Sequence, residues 1–302
     1  MNHAEQTQKI AAGHGFIAAL DQSGGSTPKA LKGYGIADDA WSNESEMYAL
    51  IHAMRARIIS APAFSSGKII GAILFERTMD GLVDGQPAPA VLNAKGVVPF
   101  IKIDKGLEDE ADGVQMMKPI AGLGDLLNRA KALGVYGSKE RSVINSANPA
   151  GIAAIVKQQF ALAMEVLAAG LMPIIEPEVN IKSDTRADCD ALLLKEILLA
   201  LDGVPSGVQV MLKLSLPLVP GTFAPLVGHP GVLRVVALSG GYKRAEACAE
   251  LAKNAGIIAS FSRALLDDLR VDMTDTQFDA ALGTAIDEIY IGSTVKSVPV
   301  AA

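Results

Sequence analysis

Cysteine and histidine are scarce in this chain of 302 residues. The two cysteines, Cys189 and Cys248, have no metal-type spacing, so we expect two reduced thiols in a cytoplasmic protein. The four histidines are scattered, with no pair at ligand spacing. A zinc or other histidine-bound metal site is therefore not expected, and the chemistry is predicted to need neither a metal nor a cofactor.

The chain also lacks a run of basic residues and a long apolar run. Its formal net charge is -6, which argues against nucleic acid as a partner. No stretch of about 18 uninterrupted apolar residues is present, so we expect no membrane span. Residues 1–9 are polar and lack the apolar region of a signal peptide, which also favours a cytoplasmic location.

The chain is rich in apolar residues: 50% of its residues are hydrophobic and 20% are charged. This composition is sufficient for the core of one large barrel or of two smaller domains. Strand patterns alternate with helix patterns eight times, without a linker or a shift in composition. This alternation predicts an α/β fold, a (β/α)8 TIM barrel, as a single domain over residues 1–302. The predicted strands are residues 15–21, 68–76, 97–106, 136–144, 171–178, 208–219, 231–241 and 256–262. The predicted helices include residues 44–60, 124–133, 149–169, 185–202 and 274–290, and residues 80–94 are predicted to be a loop with at most one helical turn.

One lysine interrupts the apolar run of residues 208–219. Lysine is almost never fully buried without a partner or a function. Lys213 either reaches from a strand end to water or to a buried ion pair, or it is an amine nucleophile, since burial and a nearby cation both favour the uncharged amine.

Other polar residues also fall within or at the ends of predicted strands. Active groups of a TIM barrel come from the carboxyl ends of its strands, and phosphate often lies after strands seven and eight. Each residue taken alone has a structural alternative, such as an ion pair, an acidic turn or a helix cap. The candidates of this kind are Asp21, Lys102, Lys139, Arg141, Glu176, Glu178, Ser239, Gly240 and Arg263.

Five of these stretches together resemble the class I, Schiff-base fructose-bisphosphate aldolases in their short bacterial form. The resemblance covers residues 15–290, and the combination is specific although each piece alone is not. The stretches are Ala18-Ala-Leu-Asp21-Gln-Ser23-Gly-Gly-Ser26, Ile174-Ile-Glu176-Pro-Glu178, Leu212-Lys213, Leu238-Ser239-Gly240-Gly241 and Phe261-Ser262-Arg263-Ala264-Leu265.

The resemblance implies catalytic roles. Lys213 matches the Schiff-base lysine, and Glu176 matches the acid–base group that dehydrates the carbinolamine, with Glu178 in support. Asp21 matches the aspartate that assists proton removal from the C4 hydroxyl. Lys139 matches the lysine that places positive charge beside the carboxylates and the nucleophile.

The resemblance also implies two phosphate sites on the substrate. The site for the C1 phosphate is matched by Ser239, Gly240, Gly241 and Arg263. The pocket for the C6 phosphate is matched by Ser23, Ser26, Lys102 and Arg141.

This chain departs from the animal members in three places. Glu140 stands where they have an aromatic residue, and Leu214-Ser215 replaces their Pro-Asn. They also carry a long C-terminal tail whose tyrosine takes part in turnover, whereas the last tyrosine here is Tyr290. We expect the proton transfer that depends on this tail to be absent or to be carried out by other groups.

A second cation is expected to make Lys213 reactive. If Lys139 lies about 5 Å away, repulsion at an effective dielectric of about 20 is worth about 3 kcal/mol. Ionised Glu176 and Glu178 would oppose this effect, because a carboxylate favours the ammonium form. The balance requires at least one of them to be protonated or paired with Lys139.

The expected function is reversible, metal-independent cleavage of fructose 1,6-bisphosphate through an imine. One alternative is the same chemistry on tagatose 1,6-bisphosphate, sedoheptulose 1,7-bisphosphate or fructose 1-phosphate. Another is a non-catalytic sugar-phosphate-binding barrel in which Lys213 only forms a salt bridge. The sequence leaves the oligomeric state open, a homo-oligomer included.

Overall fold

The eight long apolar runs of the sequence form one parallel sheet. The computed structural model describes residues 1–297. Its eight barrel strands are β1 (Phe16–Leu20), β2 (Ile69–Leu74), β3 (Val98–Lys102), β4 (Gly137–Ile144), β5 (Met172–Val179), β6 (Val210–Ser215), β7 (Val232–Leu238) and β8 (Ile258–Ala259). Each strand pairs in parallel with the next one along the chain. The Ala19 amide of β1 donates to the Phe261 carbonyl just after β8 at 3.0 Å, which brings the first and last strands together. The predicted (β/α)8 barrel is confirmed.

Helices surround this sheet. They are α1 (His3–Ala12), α2 (Ser26–Tyr34), α3 (Glu44–Ser60), α4 (Glu76–Met79), α5 (Ala88–Ala94), α6 (Leu123–Ala132), α7 (Pro149–Ala168), α8 (Arg186–Asp202), α9 (Arg244–Ala252), α10 (Arg263–Leu266) and α11 (Asp275–Thr294). Shorter elements are two 3-10 turns, Asp38–Ala40 and Ala224–Leu226, the two-residue strands Leu82–Val83 and Gln86–Pro87, and Val114–Gln115, which runs antiparallel to β4. Side-chain caps mark several helix starts: Asn43 accepts from the Glu46 amide before α3, and Asn148 accepts from the Gly151 amide before α7.

Apolar side chains inside the barrel form a cluster separate from the larger one between strands and helices. The inner cluster includes Phe100, Met211 and Val236 from the strands, and Ile10 from α1. The Ala11 carbonyl of α1 accepts a hydrogen bond from Arg234 at 2.6 Å. The polar N-terminal segment therefore contributes a helix that the sequence analysis did not predict, and this helix covers part of the barrel's apolar interior.

The structure corrects the prediction in detail at two other places. Residues 80–94 contain a short hairpin and the two-turn helix α5 instead of a loop. Glu76 does not end a strand; it begins α4 and forms ion pairs with Lys105 and Arg129. The last five residues of the expected domain, 298–302, lie outside the described residues.

Helix α7 is the one helix within residues 1–297 that is long and apolar enough to cross a membrane, with a mean hydropathy of 1.3. A core helix of a soluble protein meets the same criterion. Here α7 packs against α8, β4 and β5, and Ile152, Ile155 and Phe160 are buried in the outer core. Its apolar composition is therefore explained by its place in the barrel.

Lys95 joins the helix layer to the loop before β2, and its removal is predicted to destabilise the fold. Its ammonium lies 2.5–3.3 Å from the carbonyl oxygens of Ile59 and Ser60 in the last turn of α3, and of Ala61 and Phe64 just after it. The carbonyls of a last helical turn have no partner within the helix, so Lys95 satisfies acceptors at this end of α3. We expect Lys95→Met to lower the free energy of unfolding by about 1.5–3 kcal/mol, measured by urea denaturation.

The matched control is Lys157→Met, which removes an exposed lysine of α7. It should change the free energy of unfolding by less than about 0.5 kcal/mol. Equal stability of the two variants would contradict the anchoring role of Lys95.

Candidate active site

Four charged side chains from four neighbourhoods of the sheet, one after β1 and three within β4, β5 and β6, meet inside the carboxyl-terminal mouth of the barrel. Asp21 directly follows β1, Lys139 lies in β4, Glu176 in β5 and Lys213 in β6. All four are buried, with only 3–8% of each residue exposed. Buried charges persist in a fold only when they are paired or have a function, so their mutual geometry decides what this cluster can do.

Lys139 lies at the centre of the cluster. Its Nζ is 2.7 Å from Asp21 Oδ2, 2.9 Å from Glu176 Oε2 and 3.9 Å from Asp104 Oδ2. The other oxygen of Glu176, Oε1, is 3.1 Å from Lys213 Nζ. One carboxylate thus lies between two lysines, and its pairing with Lys139 is one of the two arrangements that the electrostatic argument from the sequence allows.

The surroundings fix the charges of two members of the cluster. Burial raises the pKa of Asp21, but the nearby Lys139 and Lys213 lower it by more than burial raises it. The pKa is therefore below its ordinary value, and the carboxyl is ionised. Burial would lower the pKa of Lys139, but Asp21, Glu176 and Asp104 raise it above its ordinary value. Lys139 is therefore a permanent cation. Lys213, which forms an ion pair with Glu176 alone among residues 1–297, is the better candidate for a nucleophile.

Glu178 lies nearer the mouth than Glu176 and has a different partner. Its Oε2 is 2.8 Å from a guanidinium nitrogen of Arg141. The Arg141 side chain is 38% exposed and the Glu178 side chain 21%, so both can reach a ligand that enters the barrel. The predicted phosphate ligand Arg141 is thus already paired with a predicted acid–base residue.

Lys102 is bound by its neighbour Asp104. The ammonium contacts Asp104 Oδ1 and donates to the Asp104 carbonyl at 3.0 Å. Burial, together with the nearby Lys139, lowers the pKa of Lys102 below its ordinary value. The ion pair that the sequence analysis left open as a structural alternative for the candidate residues is therefore present at Lys102. Asp104, which was not among the predicted site residues, also faces Lys139.

Two glycine-containing turns occupy the positions predicted for phosphate. In the first, Ser26 Oγ donates to the Ser23 carbonyl at 2.8 Å and accepts from the Ser23 amide at 2.9 Å, so the two serines shape one turn after β1. Ser23 is half-buried and Ser26 exposed.

The second turn follows β7 and begins at the buried Ser239. Gly240 and Gly241 have φ angles of 59° and 110°, a region that favours glycine. A Cβ on Gly241 would be 3.5 Å from a guanidinium nitrogen of Arg263, and a Cβ on Gly240 only 2.6 Å from Ile181. The turn therefore lies beside the exposed Arg263, which makes this corner suitable for an anion.

Arg55 and Gln22 were not predicted, yet they connect the first loop with the last. Arg55 is fully buried; it donates to the Gln22 carbonyl and, at 3.0 Å, to Thr78 Oγ1. Gln22 Nε2 in turn donates to Ser262 Oγ at 2.6 Å, next to Arg263. The spacing of Arg55 from Ile51 and Ile58 places it on the buried face of α3, so the helical periodicity could have identified it.

No group of three His, Cys, Asp or Glu side chains within residues 1–297 is arranged to hold a metal ion. The carboxylates of the cluster are instead directed at lysines. What the arrangement can do chemically is hold a buried amine against a carboxyl group and exchange a proton between them.

A comparison with protein families matches residues 3–209 to the family described as glycolytic, class-I fructose-bisphosphate aldolase. This chain belongs to the class-I fructose-bisphosphate aldolase family. The resemblance noted in the sequence is thereby confirmed. The matched residues include Asp21, Lys139 and Glu176, whereas Lys213 and Arg263 lie beyond them.

Solved structures share the fold of this aldolase-family chain at low sequence identity. The fructose-bisphosphate aldolase of Plasmodium falciparum has a TM-score of 0.75 and 19% identity, covering 98% of this chain and 95% of its own. A protein of Corynebacterium glutamicum has a TM-score of 0.55 and 14% identity, covering 96% and 92%. Both likenesses are to the barrel fold.

Glu140 is an unusual residue of this aldolase-family chain. It is fully buried between Lys139 and Arg141 in β4, and neither carboxyl oxygen has a hydrogen-bond partner within the described part of the chain. Burial, with a smaller contribution from Asp104, raises the pKa of Glu140 well above its ordinary value. Burial therefore favours the neutral acid form of this side chain.

The raised pKa predicts a pH-dependent effect of Glu140→Gln on stability. A carboxyl group whose pKa is higher in the folded state stabilises the fold fully below its unfolded-state pKa of about 4.3, and this is lost as pH rises through the folded-state pKa. Glutamine cannot ionise. We expect the variant to gain stability over the original chain by up to about 1.4 kcal/mol per pH unit above pH 5, in urea unfolding from pH 4 to 9.

The control for this prediction is Glu165→Gln on the exposed face of α7. Its stability difference from the original chain should be the same at every pH. A difference for Glu140→Gln that also stays constant with pH would contradict the raised pKa of Glu140.

Proposed function

We propose that this chain reversibly cleaves fructose 1,6-bisphosphate to dihydroxyacetone phosphate and glyceraldehyde 3-phosphate through a Schiff base on Lys213. It would then be a metal-independent aldehyde-lyase of glycolysis and gluconeogenesis, acting in the cytoplasm as one barrel domain. The observation that carries the proposal is the 3.1 Å separation between Lys213 Nζ and Glu176 Oε1 inside the buried mouth of a class-I aldolase barrel.

In the proposed reaction the Lys213 amine adds to the C2 carbonyl, and Glu176 protonates the carbinolamine hydroxyl, which leaves as water. The resulting iminium accepts the electron pair of the C3–C4 bond, which a neutral ketone does poorly. Asp21, held ionised by the lysines around it, is suited to receive the C4 hydroxyl proton as the bond breaks. Lys139 keeps Asp21 and Glu176 in place and supplies fixed positive charge.

The two phosphates of the substrate are assigned to two separate sets of residues at the mouth. The turn Ser239, Gly240 and Gly241, with Arg263 beside it, would bind the C1 phosphate through backbone amides and a guanidinium. Ser23, Ser26, Lys102 and Arg141 would bind the C6 phosphate. Since Arg141 is paired with Glu178, binding of that phosphate would also change the charge environment of Glu178.

Borohydride trapping tests the Schiff base. Reduction in the presence of substrate should add the mass of a triose phosphate to the peptide that contains Lys213, because an imine is reduced to a stable secondary amine. Lys213→Ala should give neither adduct nor turnover, while Lys157→Met should behave as the original chain. Turnover should persist in the presence of a chelator.

Three results would contradict the proposal: an unmodified Lys213, turnover by Lys213→Ala, or loss of activity on chelation. Equal sugar-phosphate binding by the original chain and Lys213→Ala, with no turnover by either, would instead support the non-catalytic sugar-phosphate-binding barrel.

Substrate preference is tested by comparing kcat/KM across sugars. We expect the kcat/KM for fructose 1,6-bisphosphate to be higher than that for tagatose 1,6-bisphosphate, sedoheptulose 1,7-bisphosphate or fructose 1-phosphate. Arg141→Met should lower kcat/KM about 10- to 150-fold for the bisphosphate, the equivalent of one charged hydrogen bond, and leave fructose 1-phosphate nearly unchanged. Equal losses on both would contradict the assignment of Arg141 to the second phosphate.

A further inference from the structure

The seam between β5 and β6 has little backbone pairing where the candidate catalytic residues lie. These strands pair in register only at Ile174 with Met211 and at Ile175 with Leu212. On the other sides, β4 pairs with β5 as far as Val179, and β6 pairs with β7 as far as Ser215. The register pairing of β5 and β6 therefore ends one residue before Glu176 on one strand and one residue before Lys213 on the other.

Beyond these residues a side chain joins the two strands. The buried Ser215 Oγ donates to the Val179 carbonyl at 2.7 Å and accepts from the Val179 amide at 3.0 Å. A single hydroxyl thus satisfies both the donor and the acceptor of one β5 residue. The Lys213–Glu176 pair lies between the last backbone pair and this hydroxyl bridge.

We propose that Ser215 is a positioning residue that sets the distance between Lys213 Nζ and Glu176 Oε1. The inference rests on the proposed function, since the distance matters for proton transfer during imine formation. Heavy atoms that exchange a proton must be about 2.6–3.2 Å apart, and the observed 3.1 Å is near the upper end of that range. A small increase in the distance between β5 and β6 would therefore slow proton transfer between Lys213 and Glu176 sharply. A displacement of about 1 Å can lower the rate of a catalysed step about 100-fold.

Two further bonds hold the segment after β6. The buried Arg186 donates to the Leu216 carbonyl, and Asp190 accepts from the Leu218 amide at 2.9 Å. These bonds tie the segment to α8, so removing the Ser215 hydroxyl is expected to loosen the seam locally and leave the segment attached. This makes Ser215→Ala a usable variant.

Ser293 provides a matched control. It is also buried, and its Oγ donates to the Ile289 carbonyl at 2.8 Å and accepts from the Ala259 amide at 3.0 Å. Ser293→Ala removes the same two kinds of bond, but on β8 and α11, away from the β5–β6 seam. Both alanine variants should lose a similar amount of stability in urea unfolding.

The experiment measures the single-turnover rate of borohydride trapping on Lys213, together with kcat and KM for the bisphosphate. Ser215→Ala should slow trapping and kcat by about 10- to 100-fold and change KM less than about twofold. Ser215→Thr, which keeps the hydroxyl, should restore trapping to within about threefold. Ser293→Ala should trap at the rate of the original chain.

Trapping by Ser215→Ala at the original rate, or equal slowing in Ser215→Ala and Ser293→Ala, would overturn the inference. Should Ser215→Ala not fold, Ser215→Cys replaces it, because the thiol fills the space of the hydroxyl but forms only weak hydrogen bonds. The same slowing of trapping is expected for this variant. An absent adduct on the original chain would overturn the proposed function as well. An adduct there with unchanged trapping in the Ser215 variants would overturn this inference alone.

Discussion

The enclosure of the Lys139 ammonium by carboxylates is the interaction on which the site depends. An ammonium buried without partners would cost several kcal/mol, so the fold must bring negative groups to it. They come from three places: Asp21 after β1, Asp104 after β3 and Glu176 in β5. Removal of any one of them would leave charge that the others compensate less well. The central cation thus holds the ends of separate strands in one geometry.

The parallel barrel makes this convergence possible, because all its strands end at the same side. Apolar residues such as Phe100 and Met211 fill the interior, and α1 adds Ile10 to them. The charged residues begin where the apolar interior ends. The charged cluster therefore lies on a rigid apolar base and opens only toward the mouth. A rigid base is what a reaction that depends on a few tenths of an ångström requires.

Local patterns were sufficient for the barrel and for much of the cluster. Helix α3 was predicted with its observed bounds from its helical apolar spacing, and the structure shows that Asn43 caps its start. Glu176 and Lys213 could be selected because charges within apolar strands are rare, whereas Lys139 lies in the polar strand β4 and its role came from the family resemblance. Asp104 as a partner of Lys139 and the bridge from Ser215 to Val179 could not be predicted, since each joins separate strands through contacts that leave no local periodicity.

The resting geometry already contains the charge arrangement that the proposed reaction needs. Transfer of one proton from Lys213 to Glu176 across 3.1 Å converts an ammonium–carboxylate pair into an amine and a carboxylic acid. The amine is then the nucleophile, and the acid holds the proton with which the carbinolamine hydroxyl leaves as water. When the iminium forms, positive charge returns to the lysine nitrogen and negative charge to Glu176. The pair is neutral overall at each of these stages, so imine formation adds no net charge to a buried site where unpaired charge is costly.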